Sequence, residues 1–372
     1  MVLRNCTLLD ADFRLKKGCI RIEDGVIAEI AENIEGDYEY TDCEGMYAVP
    51  GFIDLHTHGC VGNDSADAVD GIYDEMSKFY ASHGVTTYLA TVVTSSREVT
   101  AEAVKVIKNT KTSGAKVGGI YLEGPYFCEK YKGAQNASNM RLPDIAELNE
   151  LCDVSGGIIK VISLAPELDG AYDFIREVSG KVKVALGHTD ADSEISGKAI
   201  DSGATIATHL FNAMRPLHHR EPNLVGTALD RAIYCECICD GIHLNMTTVR
   251  LVYKLIGDEK MVLVSDSLRA AGLKDGEYTL GGLDVFVKNG VARLSDGTIA
   301  GSTANLHQCV KNIVAAGIPF ESACKMASYT PAVAAGLDRV GCIKEGNFAD
   351  ILILDSNYDI VKVFVDGKEF KN

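Results

Sequence analysis

Short β-rich apolar runs alternate with longer stretches of helical period through most of the chain. The strand-like runs are "GFIDLHTH", "VTTYLATVV", "VGGIYLEGP", "IIKVISLAPE", "VKVALGHTD", "TIATHLFN", "IYCECICDGIH" and "MVLVSDS". Most of the gaps between them are long enough for a crossover helix, as in "DGIYDEMSKFYASHG" and "SEISGKAIDSG". Eight strand–helix units over about 290 residues predict an α/β fold, a (β/α)8 TIM-like barrel at residues 50–342. The alternative, an open doubly wound sheet, would carry a Gly-rich fingerprint after its first strand. None follows "GFIDLHTH".

Both ends of the chain break this rhythm. Residues 1–49 read as short strands with tight turns, and so do residues 343–372, with "FADILILD" and "IVKVFVDGKEF". Asp24-Gly25 and Asp366-Gly367 each carry the Asp-Gly hairpin signal. Neither end can bury a core alone, so the two together are expected to form one small, discontinuous β-sandwich domain. After the eighth strand, "GEYTLGGLDVFVKNGVARLSDGTIAGS" reads as a β-hairpin excursion. A last helical pair follows it, and Thr330-Pro331 is expected to split or kink the second member.

Composition narrows the partners. The 372 residues are 47% hydrophobic and 24% charged, ordinary for a globular protein. A formal net charge of -16 argues against nucleic acid or an anionic membrane surface. An anionic substrate would need a locally basic pocket. The start, "MVLRNCTLLDADF", lacks a long apolar segment, and no apolar run reaches membrane-spanning length. With 12 scattered cysteines, the expectation is a cytoplasmic protein with reduced thiols. Cys235, Cys237 and Cys239 recur at strand period. Three thiols on one strand face suit either a metal or, more commonly, a buried apolar surface.

Chemistry gathers where the predicted strands end. The first ends in His56 and His58, which point to the same side of an extended strand. The third ends in Glu123, the fifth in His188, the sixth in His209 and the eighth in Asp266, while the seventh leads to His243. Singly, each is a common polar strand end or cap. A barrel, however, brings all of them onto one rim. Imidazole and carboxylate in that mixture suit zinc or iron with positions left for water, so the expected centre is catalytic rather than structural.

The ordered set "GFIDLHTHG", "LEGPYF", "LAPE", "GHTDA", "THLFNAMRP", "REPNLVG", "DGIHLN" and "LVSDS" resembles the N-acetylglucosamine-6-phosphate deacetylases of the amidohydrolase superfamily. The resemblance spans essentially the whole chain. It implies metal-dependent hydrolysis of the N-acetyl group, giving acetate and glucosamine 6-phosphate, by a homodimer. It also implies that Glu123, His188 and His209 are core metal ligands and that Asp266 is the catalytic aspartate at the metal. Asn212, the Ala213 backbone, Arg220 and His243 match positions that hold the sugar phosphate, the arginine sometimes reaching across a dimer interface. Some members carry a different pair where His56 and His58 stand, keep a single metal and place a histidine twelve residues after the glutamate. That position here is Gln135. His56 and His58 are therefore expected to complete a second metal position, with Glu123 bridging, Cys60 a bystander and Gln135 a hydrogen-bond partner of the substrate.

Other readings remain at this point: a cyclic-amide hydrolase or deaminase of the same superfamily, or a binding protein that kept the fold. Many cyclic-amide members bridge their metals with a carboxylated lysine. Here the fourth strand ends in "LAPE" without one. A binding protein would be expected to have lost ligands, and all are intact. Within "FNAMRPLHHREPN", Arg215 and His218 are expected to be solvated, and Arg220 to meet the phosphate.

Overall fold

The computed structural model describes residues 1–371. Eight parallel strands make up the central sheet: Phe52–Thr57, Val85–Val93, Lys116–Glu123, Ile159–Leu164, Lys183–Leu186, Ala204–Ala207, Tyr234–Ile238 and Met261–Val264, neighbours in that order. Each matches one of the eight apolar runs. Beyond the end of the ladder, the first and eighth strands meet. The Asp266 N–H donates to the His56 carbonyl at 2.8 Å, and the His58 N–H to the Ser267 carbonyl at 2.8 Å. The barrel thus closes at the C-terminal rim of its strands, through the backbone of His56, His58, Asp266 and Ser267.

Its interior is filled by Ile53, Leu55, Leu89, Tyr121, Val161, Ala185, Ile206, Ile238, Val262 and Val264, with Ala332, Ala334 and Ala335 packed against them. Opposite-facing residues of the same strands join the larger core beneath the helices. Cys235, Cys237 and Cys239 belong there, fully buried with free thiols, so burial accounts for their spacing.

The terminal strands share one eight-stranded sheet. Val2–Leu9 pairs with Leu15–Glu23 and with Tyr47–Pro50, and Tyr47–Pro50 pairs antiparallel with Ile351–Leu354 from the other end of the chain. The expected small β domain is therefore one continuous sheet that returns on itself, where its two Asp-Gly turns touch. Ala349 N–H donates to the Gly25 carbonyl, and Gly367 N–H to the Ala349 carbonyl, both at 2.9 Å. A Cβ at Gly25, where φ is +78°, would lie 3.0 Å from the Asp366 carbonyl oxygen, so the approach itself requires glycine.

The excursion after the eighth strand is a three-stranded antiparallel sheet, Gly276–Leu280, Leu283–Lys288 and Val291–Arg293. The last helical pattern is indeed split, into Phe320–Met326 and Tyr329–Ala335. The break falls at Ala327–Ser328, upstream of Pro331. The proline lies in the first turn of the second helix, where its missing N–H would have had no partner anyway. No helix among the described residues is long and apolar enough to cross a membrane.

Candidate metal centre and its cavity

Glu123, the last residue of the third strand, is the hub of the rim. Its Oε1 lies 3.0 Å from His188 Nε2 and 3.1 Å from His209 Nε2, and those two nitrogens are 3.1 Å apart. Its Oε2 lies 3.3 Å from His58 Nε2 and accepts a hydrogen bond from Gln135 Nε2 at 2.5 Å. Asp266 Oδ1 stands 3.3 Å from His58 Nε2 and 3.7 Å from His56 Nε2. Two triads result, one of Glu123, His188 and His209 and one of His56, His58 and Asp266, all buried.

The first triad has the spacing of a cation site. Ligands about 2 Å from one ion stand roughly 3 Å from each other, as these three atoms do. Hydrogen bonding serves the second triad less well. His56 Nε2 is buried and has no hydrogen-bond partner among the described residues. A buried imidazole nitrogen without a partner, facing two carboxylates, fits a metal ligand. The donor set is all imidazole and carboxylate, which suits a divalent metal.

Charges across the cluster are strongly coupled. Burial pushes the Glu123 carboxyl up, but the charge of His56 and hydrogen bonds from His188 and His209 outweigh it, holding the group well below the usual carboxylate range. For Asp266, too, burial acts upward and is overcome, here by the His58 hydrogen bond and the field of His56. Burial lowers His58, yet its bonds to Asp266 and Glu123 carry it up to about 10. Ionised Glu123 and Asp266 thus face a protonated His58, whereas burial lowers His188, and a divalent cation would take the place of such protons.

Three of these residues sit just past strand ends in left-handed backbone: His188 at φ +48°, His209 at +27° and Asp266 at +49°. Such geometry is uncommon outside glycine and collects at functional sites. It persists because neighbours fix it. Asp266 is held on one side through the His56 carbonyl and on the other by the Ser302 N–H, 2.7 Å from the Asp266 carbonyl.

A cavity of about 410 Å³ opens over the cluster, large enough for a sugar phosphate. His58, Glu123, Gln135, His188, His209, Asn212, Ala213, His243 and Asp266 line it, so most of the predicted residues do converge. His56 lies behind them, fully buried. His243 is pinned by Asp240, whose carboxylate is 2.7 Å from its Nδ1. Cys60 is buried and belongs to neither triad.

Gln135 and Arg220 stand in different places relative to the cavity. Gln135 reaches the cavity wall, and both ends of its amide are bonded: Nε2 to Glu123, and Oε1 to the Thr94 N–H at 3.1 Å. The bond to Glu123 orients that carboxylate, and the second Nε2 hydrogen is left for a substrate in the cavity that Gln135 lines. Arg220 does not line the cavity. It is exposed, with its Nη1 2.7 Å from His219 Nε2. The loop carrying it turns outward, while Arg215 pairs with Glu221 at 2.9 Å.

Sequence reading missed five contributors. Lys130 is the one lysine or arginine on the cavity wall among the described residues, and it pairs with Asp190 at 2.8 Å. Leu280, Thr298 and Ile299, from the three-stranded excursion and the turn beyond it, close one side. Glu236, on the seventh strand, touches His56 and His209 from below. A lone acidic residue inside an apolar strand was the available signal.

The amidohydrolase family model matches residues 47–370. The chain is 39% identical over 328 residues to an N-acetylglucosamine-6-phosphate deacetylase of Vibrio furnissii, covering 86% of this chain and 82% of that one. It is 38% identical over 374 residues to an N-acetylgalactosamine-6-phosphate deacetylase of Escherichia coli O157:H7, covering 99% and 98%. A solved structure of N-acetyl-D-glucosamine-6-phosphate deacetylase from Mycobacterium smegmatis, a mutant in complex with N-acetyl-D-glucosamine-6-phosphate, superposes with a TM-score of 0.93. That match has 31% identity over 100% of this chain and 99% of that one.

Proposed function

The chain belongs to the amidohydrolase family, and on that premise we propose that it hydrolyses N-acetyl-D-glucosamine 6-phosphate to D-glucosamine 6-phosphate and acetate. The observation that carries the reading is the pair of buried triads joined by Glu123 beneath a cavity of sugar-phosphate size. Glu123, His188 and His209 would hold one divalent ion, and His56, His58 and Asp266 a second, zinc or iron suiting both. A divalent cation bound there acidifies water and polarises the amide carbonyl.

The chain's own groups do the rest. Asp266, kept ionised by its histidine neighbours, takes the proton from the attacking water on a carboxylate oxygen. It returns that proton to the sugar nitrogen, because an unprotonated amine leaves poorly. Gln135 keeps the Glu123 carboxylate in one orientation. His243, locked by Asp240, presents its other edge to the sugar. The phosphate would lie against Asn212 and the Ala213 N–H, with Lys130 as the nearby cation. Arg220 of a second copy would complete that end if the protein is a homodimer in the cytoplasm, as we further propose. Backbone N–H groups and planar guanidinium both suit phosphate oxygens.

Incubating the purified, metal-loaded protein with this substrate should release acetate and primary amine one for one. Faster turnover of N-acetylgalactosamine 6-phosphate would change the sugar assignment. No acetate from either sugar phosphate would overturn the reading.

A further inference from the structure

Glu236 is wholly buried on the seventh strand, between Cys235 and Cys237 but facing the opposite side from both. Its Oε2 lies 2.9 Å from His56 Nδ1 and accepts from the His209 N–H at 3.2 Å. Glu236 itself does not line the cavity, so its carboxylate lies behind the residues that would face substrate. Its backbone carbonyl also takes the Leu210 N–H at 2.7 Å, which ties the sixth strand's end to the seventh.

We infer that Glu236 is a positioning residue for the second metal position, holding His56 in the tautomer whose Nε2 lone pair points at Glu123 and Asp266. An imidazole has two nitrogens, and a hydrogen bond at one decides which is left as a lone pair. Glu236 is a carboxylate and accepts only, so the proton sits on Nδ1 of His56. Nε2, which is buried and unpartnered among the described residues, is left as the donor to a cation. The negative charge behind the ring also makes that nitrogen more basic. One residue thus couples two rim strands, since the same carboxylate oxygen steadies the left-handed turn at His209.

This rests on the reading of His56 and His58 as ligands of a second cation, and the test separates the two. Zinc would be titrated against a competing chelator in wild type, Glu236→Gln, His56→Ala and the double variant, with melting temperature recorded for each. Glutamine keeps the volume and removes the charge. Its amide can also turn a donor toward Nδ1. Loss of such a partner costs about 10–100-fold in metal affinity. Glu236→Gln should weaken the second zinc by that factor, weaken the first far less, through the His209 N–H alone, and melt near wild type. In the His56→Ala background it should change zinc binding no further, whereas a general packing defect would add to the loss. Native affinity for both equivalents in Glu236→Gln would overturn the positioning role. Uptake of a single equivalent by wild type, unaltered in His56→Ala, would instead remove the second position and the role with it.

Discussion

Replacing Asp266 with asparagine removes a base while leaving almost everything around it in place. The residue sits at φ +49°, a left-handed conformation that asparagine tolerates as well as aspartate. Its backbone bonds to His56 and Ser302 do not involve the side chain, and an amide oxygen can still accept from His58. Folding and the Glu123–His188–His209 triad should therefore survive. What disappears is the proton carrier. General acid–base catalysis is worth about 10²–10⁴-fold, or roughly 2.7–5.5 kcal/mol at about 1.36 kcal/mol per decade. The structure favours more than the minimum, because Glu123 is the only other carboxylate on the cavity wall among the described residues. Both its oxygens are already engaged, by His188 and His209 on one side and Gln135 on the other. The expected outcome is a kcat lower by at least 10²-fold, with the metal equivalent at Glu123, His188 and His209 and the melting temperature close to wild type. A kcat within tenfold of native, with that equivalent retained, would refute the proton-shuttle role.

His188→Ala or His209→Ala should abolish tight metal binding, whereas His56→Ala should lose only the second equivalent; elemental analysis after dialysis distinguishes them. Gln135→Leu removes the charge-assisted bond to Glu123, worth about 1.5–3 kcal/mol, and should lower kcat more than it raises KM. A KM effect alone would leave Gln135 as a substrate contact only. Arg220→Ala should raise KM for the phosphorylated sugar by about 10²-fold, using the same range for a hydrogen bond to a charged group, and barely affect the unphosphorylated one. Mixing Arg220→Ala with Asp266→Asn subunits should restore one site per heterodimer if the arginine crosses the interface.

The barrel and its rim were legible because each buried strand reads as a mostly apolar run and its chemistry stands at the run's C-terminal end or within two residues past it. His56, Glu123, His188, His209 and Asp266 all obey that rule, and the closed rim brings them together. Glu236 escaped for the same reason. It is a polar residue inside a strand rather than at its end, flanked by cysteines that draw attention to the other face. Gln135 was located at the cavity, but its bonds to Thr94 and Glu123 were not legible, since sequence cannot say which distant groups an amide meets. Left-handed backbone at His188 and His209 has no local signal either, because the strain is held by distant partners rather than by a permissive residue. Arg220 shows the limit of spacing: sequence does not say that its loop turns the side chain away from its own chain's cavity, toward solvent.

The central claim is that these strand ends form a metal centre at which the amide is cleaved. Anomalous diffraction from crystals of active, metal-loaded protein, recorded at the edges of the bound element, tests it most directly. The account predicts a peak about 2.0–2.2 Å from Glu123, His188 and His209, and a second among His56, His58 and Asp266. Fully active crystals with no peak at Glu123, or with their metal elsewhere in the molecule, would contradict it.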